Sequence, residues 1–406
     1  MSVQTDLLTA LDIKDISIYF QPITDLGSLE VVGVEALLRP VSISGELMSP
    51  GAVFERAEAA GVLADLDEMA RTAAIHAFVA TEPPGATVVL FLNYAAETWA
   101  NRPLNLAALE RDVRSAGIDP SQIAIEFVES RLPDHDALEA LATVCRDAGF
   151  RISLDDFGTR HSNLERVVDV SPDVLKIDRS VVSAAGHDGD ACTLLQSITY
   201  LARTMGALSL AEGIESYDDL FICAEVGISL AQGFLLGRPS AQRDAAIERS
   251  TKAAEQHRRA LQTDLEHRIK ESQLLSERRE GEIAALVDHL AAVRDSELAT
   301  ALAVEIGSIH GVESGCIVDL QGVQITPVVV ADDSVPRRVL PGGGIGGSLI
   351  LKDFIYGLLV LGQRRFVSTR SLSIYSGKPC HTISTRFNTA DKSELILCIN
   401  LPLGGT

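Results

Sequence analysis

The first 243 residues predict an α/β fold, a barrel of parallel strands and surrounding helices whose first two strands are antiparallel. Three features of the sequence predict it. Short apolar segments rich in Val, Ile and Leu alternate with helix-like segments, as strands buried on both faces do. Eight such segments fall within about 240 residues, a usual length for a (β/α)8 barrel. Polar residues stand at the C-terminal ends of most of these segments.

The strand candidates can be read off in chain order. They are ISIYFQPI, VVGVEALL, TVVLFLN, IAIEFVE, RISLDDF, DVLKID, LSLAEGI and ISLAQGFLL. Only TDLGSL separates the first two, which is too short for a crossover helix, so we expect an antiparallel hairpin there. Helix-like segments such as ALEALATVCRDAG and ACTLLQSITYLARTMG separate most of the others, and the second of these ends at Gly206, a typical C-cap residue.

Side chains with oxygen or amine groups mark the strand ends. They are Glu35, Asn93, Glu126, Asp155, Asp156, Lys176, Glu212 and Gln232. Because the C-terminal ends of parallel barrel strands open onto one face, we expect these side chains to converge. Five carboxylates, two amides and a lysine in one mouth predict a site for hard divalent cations that faces an anionic substrate. Structural salt bridges would explain one or two of these residues but not the whole set.

A helical segment follows the barrel. From Arg243 to about Ile306 the chain is rich in Ala, Glu, Arg, Gln and Leu, with no Pro and only Gly281 in its middle. Two apolar stripes step by three or four residues. They comprise Leu261, Leu265 and Ile269, and then Ile283, Leu286, Leu290 and Val293. We interpret residues 244–306 as a connector that forms a coiled coil in a homodimer. A helix packed on its own domain, or a bend at Gly281, remains open.

Residues 307–406 predict a small α+β domain. CIVDLQGVQITPVVV, RRFVSTRSLSI, CHTISTRF and LILCINL are strand-like, and YSGKP and NTADKSE are typical of turns. The glycine-rich PGGGIGGS matches G-x-G-x-x-G at Gly342, Gly344 and Gly347. No clear strand precedes it and no acidic residue follows at the required distance, so the pattern indicates a loop and not a dinucleotide site.

Charge, cysteine spacing and the lack of long apolar segments argue against several classes of function. The net charge of −21 argues against binding to nucleic acid or to anionic membrane surfaces. The six cysteines are scattered without a CxxC pair, which argues against a zinc ribbon or a redox motif and suits a reducing cytoplasm. The N-terminal residues lack a signal-peptide pattern, and the longest apolar run, near LILKDFIYGLLVLG, is too short to span a bilayer. We therefore expect a cytoplasmic protein without a membrane partner.

The strand-end motifs together resemble the EAL-domain family of cyclic di-GMP phosphodiesterases. The matching segments are EALLRP (35–40), FLN (91–93), EFVE (126–129), LDDFGT (154–159), LKIDRS (175–180), AEGIES (211–216) and QGFLLGRP (232–239). The resemblance covers roughly residues 15 to 242. It implies a TIM-like barrel, two bound Mg²⁺ or Mn²⁺ ions, and hydrolysis of cyclic di-GMP to the linear dinucleotide pGpG.

The resemblance also implies roles for individual residues. Glu35, Asn93, Glu126 and Asp155 would hold one metal ion, Asp155 would bridge, and Asp156 with Glu212 would serve the second. Lys176 would orient or deprotonate the attacking water, and Gln232 would hold it. Glu215 would brace the loops around the site, and Gln21 and Arg39 would contact the substrate. A lysine among carboxylates should stay charged, and the arginine fork suits a phosphate. Arg39 and Glu215 could instead be structural, and Asp178 is expected to cap a helix.

One loop departs from the family pattern. The family usually has DDFGTG, an aromatic residue and SSL, whereas this chain has DDFGTRHSNL, with Arg160 and His161 at the changed positions. Arginine resists backbone angles that glycine permits. The sequence therefore leaves two hypotheses open: an active phosphodiesterase regulated by its C-terminal domain, or a cyclic di-GMP receptor that binds without turnover. A weaker third reading makes the barrel only a dimerisation scaffold.

The C-terminal strands carry a second, smaller resemblance. RFVSTRSLSIYSGKPCHTISTRF followed by LILCINL is similar to the last strands of PDC-type, PAS-like sensor domains. The resemblance implies that residues 307–406 bind an unknown small molecule or serve as a dimerisation module. The expected organisation is thus a barrel at 1–243, a connector at 244–306 and a sensor domain at 307–406.

Overall fold

The computed structural model describes most of the chain. The described residues are 11, 13–80, 88–95, 106–128, 135–159, 164–331, 344–369, 371–373, 376 and 379–402. The chain forms two compact units, Met1–Leu265 and Glu266–Thr406. Within the described helices, none combines the length and the hydropathy needed to cross a membrane.

The first unit is a closed barrel of eight strands, as predicted. The strands are β1 (Ile13–Asp25), β2 (Val31–Ser42), β3 (Val89–Asn93), β4 (Ile123–Val128), β5 (Arg151–Phe157), β6 (Val174–Ile177), β7 (Leu208–Ala211) and β8 (Leu230–Ala231). The predicted hairpin is confirmed, because β1 pairs antiparallel with β2, and β1 also closes the barrel antiparallel to β8. All pairs from β2–β3 to β7–β8 are parallel.

Helices surround these strands. Those described are α1 (Pro50–Ala59), α2 (Leu63–Val79), α3 (Leu106–Ser115), α4 (His135–Asp147), α5 (Leu164–Val170), α6 (Arg179–Ala185), α7 (Gly189–Thr204) and α8 (Tyr217–Val226). Their apolar faces and the outward faces of the strands form one buried cluster. The side chain of Asp178 accepts a hydrogen bond from the backbone of Ser180 at 2.9 Å, which confirms it as the N-cap of α6.

Apolar side chains fill the lower part of the barrel interior. Ile23, Phe91, Ala124, Val174, Leu210 and Leu230 form this cluster. Successive side chains of a strand point to opposite faces, so the residue two positions along lies in the same interior, one level higher. At five strands that next interior residue, within the strand or just past its end, is polar. Those residues are Asn93, Glu126, Lys176, Glu212 and Gln232. The pleat of each strand therefore carries the predicted site residues into the barrel mouth.

A close backbone approach fixes the end of β8 beside the loop after β7. A Cβ atom on Gly233 would lie 2.1–2.5 Å from backbone atoms of Ile214, which cannot yield as a flexible side chain can. We expect Gly233→Ala to lower the free energy of unfolding by about 2–3 kcal/mol, because overpacking of this kind forces the backbone to shift. Urea unfolding of the purified variant measures the loss.

Gly186 provides the matched control for that substitution. It ends α6 with a φ of −71°, and no heavy atom outside Gly186 and its two chain neighbours lies within 4 Å of the position its Cβ would take. Gly186→Ala should therefore change stability by less than about 1 kcal/mol. Equal unfolding midpoints for the Gly233→Ala and wild-type proteins would contradict the steric argument.

The second unit is an α+β domain, as predicted for the C-terminal residues. Its strands are β9 (Ser314–Asp319), β10 (Val329–Val330), β11 (Arg365–Val367), β12 (Ser371–Leu372), β13 (Pro379–Asn388) and β14 (Glu394–Pro402). They pair antiparallel in the order β10–β9–β14–β13–β11, with β12 also beside β13. Of the glycine-rich pattern, Gly342 lies outside the described residues, and the Gly347 amide closes a turn on the Gly344 carbonyl at 2.8 Å.

A long helix enters this unit. The helices after the barrel are α9 (Arg243–Ala292), α10 (Leu298–Glu305) and α11 (Asp353–Val360). Helix α9 continues through Gly281 without a break. Ile283, Leu286 and Leu290 are buried in the core of the second unit, so this stripe packs on its own domain. The two units divide at 265/266, inside α9. The boundaries at 243 and 306, the coiled coil and the sensor role stay predictions.

Candidate metal and substrate site

A polar layer lies above the apolar cluster in the barrel. It comprises Gln21, Glu35, Asn93, Glu126, Asp155, Lys176, Glu212 and Gln232. Lys176 stands at its centre with only 1% of its surface exposed. Its Nζ contacts Glu126 Oε1 directly and lies 2.6 Å from Glu212 Oε1, 3.4 Å from Asp155 Oδ1 and 3.7 Å from Glu35 Oε2. Carboxylates from the ends of four strands thus converge on one ammonium group, as the sequence predicts for this mouth.

Two amide side chains hold Glu35. Asn93 Nδ2 donates to Glu35 Oε1 at 3.1 Å, and Gln232 Nε2 donates to Glu35 Oε2 at 2.7 Å. Both carboxylate oxygens of this buried residue therefore have fixed directions. The bonds join β2 to the ends of β3 and β8, so they also brace the barrel mouth.

An irregular strand end brings two consecutive aspartates together. In a regular strand Asp155 and Asp156 would point to opposite faces. The β5–β6 register shifts between Leu154 and Phe157, and Asp156 has a φ of +60°, in the left-handed region. As a result, oxygens of Asp155, Asp156 and Glu212 lie within 4.8 Å of one another. Such strain in a non-glycine residue is typical of functional sites.

The donor set fits divalent cations. Oxygens of Glu35, Glu126 and Glu212 form a second group within 4.8 Å, so Glu212 belongs to both groups. The cluster holds five carboxylates and one lysine, which leaves an excess of negative charge. Among the described residues, Glu126 Oε2 and Gln232 Oε1 are buried without a hydrogen-bond partner. Buried oxygens of this kind need a partner, and hard cations such as Mg²⁺ or Mn²⁺ prefer oxygen ligands.

Burial and crowding shift the pKa values of this cluster. Burial raises the pKa of Glu126 well above its ordinary value, against the opposing effect of Lys176. For Glu212, burial and the neighbouring Asp155 and Glu35 outweigh Lys176 and raise the pKa to about 7. Burial alone would lower the pKa of Lys176, but the four carboxylates raise it well above the usual value. The lysine therefore stays protonated at neutral pH.

The shifted pKa of Glu212 predicts how stability depends on pH. Its pKa rises from 4.5 to about 7 on folding, so between these values the folded state holds more protons than the unfolded state. In a chelator, this contribution to stability is lost as the pH rises from about 4.5 through about 7. A divalent cation should reverse the trend, because it binds the deprotonated carboxylates.

Thermal unfolding at about pH 5 and about pH 8, with EDTA or with Mn²⁺, tests this prediction. We expect Mn²⁺ to raise the melting temperature much more at the higher pH. Glu212→Gln removes the titrating group, so its melting temperature in EDTA should depend less on pH. An equal stabilisation by Mn²⁺ at both pH values would contradict the argument.

A cavity of about 690 Å³ adjoins the polar layer beside Glu35 and Asn93. Arg39 lines it, half-buried, with Nη1 donating to the Leu38 carbonyl at 2.9 Å and its guanidinium over the Tyr19 ring. The position suits the predicted contact between Arg39 and an anionic substrate, and that contact remains a prediction.

Sequence reasoning missed other residues of this cavity. Asp67 and Arg71, both buried on α2, form an ion pair, and Arg71 lies over the Tyr94 ring. Asp67 Oδ1 accepts from the Ala95 amide at 3.2 Å, which holds the chain just after Asn93. The spacing of four residues between an acid and a base on one helix was the available signal.

The remaining predicted residues lie around this centre. Gln21 is buried on β1 opposite Glu35, and its Nε2 donates to the Gly237 carbonyl at 3.2 Å. Glu215 is exposed and pairs with Arg179 through two hydrogen bonds of 2.7 and 2.8 Å, so it links the loop after β7 to the start of α6. Arg160 and His161, at which the loop departs from the family pattern, lie outside the described residues.

Comparisons with known proteins agree with this geometry. The model of the family described as "EAL domain" matches residues 4–239. The bifunctional diguanylate cyclase/cyclic di-GMP phosphodiesterase MucR of Pseudomonas aeruginosa is 30% identical over 246 residues, which cover 58% of this chain and 34% of MucR. The chain spans about a third to a half of the length of such curated relatives.

Solved structures give the same picture. The Bacillus subtilis YkuI protein, with an EAL domain and in complex with cyclic di-GMP and calcium, matches with a TM-score of 0.72 over 100% of both chains. Because the two sequences are 24% identical, this structural likeness shows the fold alone. Klebsiella pneumoniae BlrP1, in a complex with calcium and cyclic di-GMP, is 28% identical, with a TM-score of 0.51 over 55% of each chain.

Proposed function

Since the chain belongs to the EAL domain family, we propose that it hydrolyses cyclic di-GMP to the linear dinucleotide pGpG in a reaction that depends on divalent cations. The observation that carries this proposal is the convergence of four carboxylates on buried Lys176 at the C-terminal ends of the strands, with the carboxylate of Asp156 beside two of them. Relatives named as cyclic di-GMP phosphodiesterases, and a 28% identical structure that holds calcium with cyclic di-GMP, support the substrate and the need for a cation.

The carboxylates are proposed to hold two cations. Glu35, Asn93, Glu126 and Asp155 would bind one ion, and Asp155, Asp156 and Glu212 the other, with Mg²⁺ or Mn²⁺ as the preferred metals. Because oxygens of Glu212 lie within 4.8 Å of both carboxylate groups, this residue could serve either ion. Such a pair of ions supplies a nucleophilic water near neutral pH and offsets the charge of the phosphate.

The chain's own side chains then orient the reactants. Lys176 stays protonated, so we propose that it donates hydrogen bonds to the attacking water or to a phosphate oxygen and does not act as a base. Gln232 holds Glu35 through Nε2, and its buried Oε1 can accept a hydrogen bond from water. Arg39 and Gln21 would bind the substrate, with the guanidinium fork on a phosphate. Glu215 would act through its pair with Arg179 to fix the loop that carries Glu212.

Incubation of the purified protein with cyclic di-GMP and Mg²⁺ or Mn²⁺, followed by chromatography of the products, tests the proposal. We expect pGpG to accumulate with either ion and not in EDTA. A calorimetric titration with Ca²⁺ in place of these ions measures binding separately. Tight binding without any pGpG would refute the proposed reaction.

The receptor hypothesis rests on the loop at Arg160 and His161. If this loop limits the reaction, the wild type binds cyclic di-GMP without turnover, and Arg160→Gly combined with His161→Tyr should raise the rate. If turnover is already fast, the same substitutions should have little effect. The comparison thus separates an active enzyme from a receptor that retains the cation ligands.

The C-terminal unit and the oligomeric state complete the proposed function. We propose that the C-terminal unit regulates turnover, through an unknown small-molecule ligand or through dimerisation, and that the protein acts as a cytoplasmic homodimer. The antiparallel sheet flanked by helices is compatible with a PAS-like sensor. Light scattering of the purified protein would measure its oligomeric state.

A further inference from the structure

Two cysteines far apart in the sequence face each other in the C-terminal sheet. Cys316 on β9 is the direct register partner of Cys398 on β14. Both are buried, with 7% and 3% of their surfaces exposed, and both are free cysteines. Their side chains belong to the cluster under α11 that includes Phe354 and Leu358, so they lie on the same face of the sheet.

The strand pairing places the two backbones at a suitable separation for a disulfide. The Ile317 amide donates to Thr326 Oγ1 at 2.9 Å, and the Ile317 carbonyl accepts from the Ile325 amide, so Ile317 is directed away from β14. The neighbouring Cys316 is therefore directed toward β14, in a hydrogen-bonded pair with Cys398. Such pairs have Cα atoms about 5.5 Å apart, within the range of about 4.4–6.8 Å that disulfides span.

From this geometry we propose that Cys316 and Cys398 form a redox-active thiol pair, which a peroxide oxidises to an intramolecular disulfide across β9 and β14. The proposal is independent of the chemistry assigned to the barrel. It goes beyond the sequence pattern, because the pair is created by the strand register and not by a local motif.

The arrangement of the thiols assigns a role to each sulfur. The Cys398 thiol is hydrogen-bonded to Cys316, which lowers the pKa of Cys316 against the effect of burial and raises that of Cys398. The Ser384 hydroxyl lies 3.8 Å from Cys398 Sγ on the other side. Cys316 is also the more exposed of the two, 7% against 3%, so we assign it as the attacking residue, whose thiolate is the reactive form.

The reaction balances with hydrogen peroxide as the oxidant. The Cys316 thiolate attacks one oxygen, the O–O bond breaks, and the departing hydroxide takes up the proton that Cys316 released, giving a sulfenic acid and water. The Cys398 sulfur then attacks the Cys316 sulfur, the S–S bond forms, and the sulfenic hydroxyl leaves with the Cys398 proton as a second water. Two thiols thus lose two electrons and two protons to one peroxide.

The test is oxidation of the folded full-length protein with hydrogen peroxide. Remaining thiols are blocked with N-ethylmaleimide, the protein is digested without reductant, and the peptides are identified by mass spectrometry. We expect a cross-linked peptide pair containing Cys316 and Cys398 that disappears after treatment with dithiothreitol. In Cys398→Ser, dimedone should instead trap a sulfenic acid on Cys316.

The barrel cysteines serve as internal controls. Burial raises the pKa of the Cys145 thiol to about 12 and raises that of Cys223. Both thiols should therefore resist the peroxide and still react with N-ethylmaleimide once the protein is unfolded. Cys145→Ser should leave the cross-link unchanged. Recovery of Cys316 and Cys398 as free thiols under conditions that oxidise Cys192, or a disulfide from Cys316 to Cys380, would overturn the proposal. The wild-type peptide map decides this even if a serine variant fails to fold.

Discussion

Lys176→Met should strongly destabilise the protein in the absence of divalent cations. The ammonium group contacts four carboxylates while only 1% of the residue is exposed, and methionine keeps most of the side-chain volume but none of the charge. Removing one partner from a buried ion cluster leaves its charges uncompensated, a loss of about 3–5 kcal/mol. We therefore expect urea unfolding in EDTA at about pH 8 to show a loss of this size.

The pH and the cation should modulate this loss. At about pH 6 the loss should be smaller, because the raised pKa values of Glu212 and Glu126 favour neutral carboxyl groups there. Mn²⁺ should restore much of the stability, since it supplies positive charge to the same oxygens. Turnover should stay very low even with Mn²⁺, because the group that orients the water is gone.

An exposed lysine gives the matched control. Lys252 on α9 pairs with Glu248 at 2.6 Å, but both side chains are largely exposed. Pairs of this kind contribute about 0–1 kcal/mol, so Lys252→Met should leave stability and turnover close to those of the wild type. If Lys176→Met were as stable as the wild type in EDTA, the charge of Lys176 would not be needed to compensate the buried carboxylates, and the argument would fail.

The strand ends were predictable from sequence because their positions follow from local rules. The strand pleat sets Glu126 two positions after Ala124 and Lys176 two positions after Val174, and parallel pairing then aligns the strand ends. The eight strands and the antiparallel hairpin follow from the same local patterns. These features need no knowledge of distant contacts.

Other features depend on contacts that no local pattern encodes. The left-handed conformation of Asp156 arises from the register shift between β5 and β6, which two adjacent aspartates do not reveal. Glu212 belongs to both carboxylate groups, which no local pattern shows, and the bridging role implied for Asp155 stays a prediction. The apposition of Cys316 and Cys398 depends on the register of two strands that are distant in sequence.

The apolar stripe on the helix after the barrel could be predicted from the sequence only in part. The stripe of Ile283, Leu286 and Leu290 is correctly predicted as an apolar helix face, but periodicity does not identify the surface that it covers. In the structure it packs in the core of the second unit. A stripe of the same spacing fits a coiled coil equally well, so periodicity alone does not decide between the two, and the coiled coil stays a prediction.

Glu35→Gln should abolish most of the turnover while the barrel stays folded. Glutamine keeps the size of the side chain but removes one negative charge from a candidate cation ligand. Loss of such a ligand should cost several kcal/mol of transition-state stabilisation, or a fall in rate of roughly 100-fold or more. Glu35 now accepts hydrogen bonds from the side-chain amides of Asn93 and Gln232. In the variant, one of these two donors would face the NH₂ group of the new glutamine and lose its acceptor. The rate of pGpG formation at saturating Mn²⁺ measures the effect.

Stability in EDTA distinguishes this effect from misfolding. Because the substitution removes one of several crowded carboxylates, the melting temperature of the variant without cations should equal or exceed that of the wild type. Added Mn²⁺ should then stabilise it less than it stabilises the wild type. Glu30→Gln, at an exposed position in the turn between β1 and β2, is the control and should retain full activity and the full response to Mn²⁺. Unchanged turnover in Glu35→Gln would show that the carboxylates around Lys176 do not bind the catalytic cation, and the proposed reaction would lose its basis.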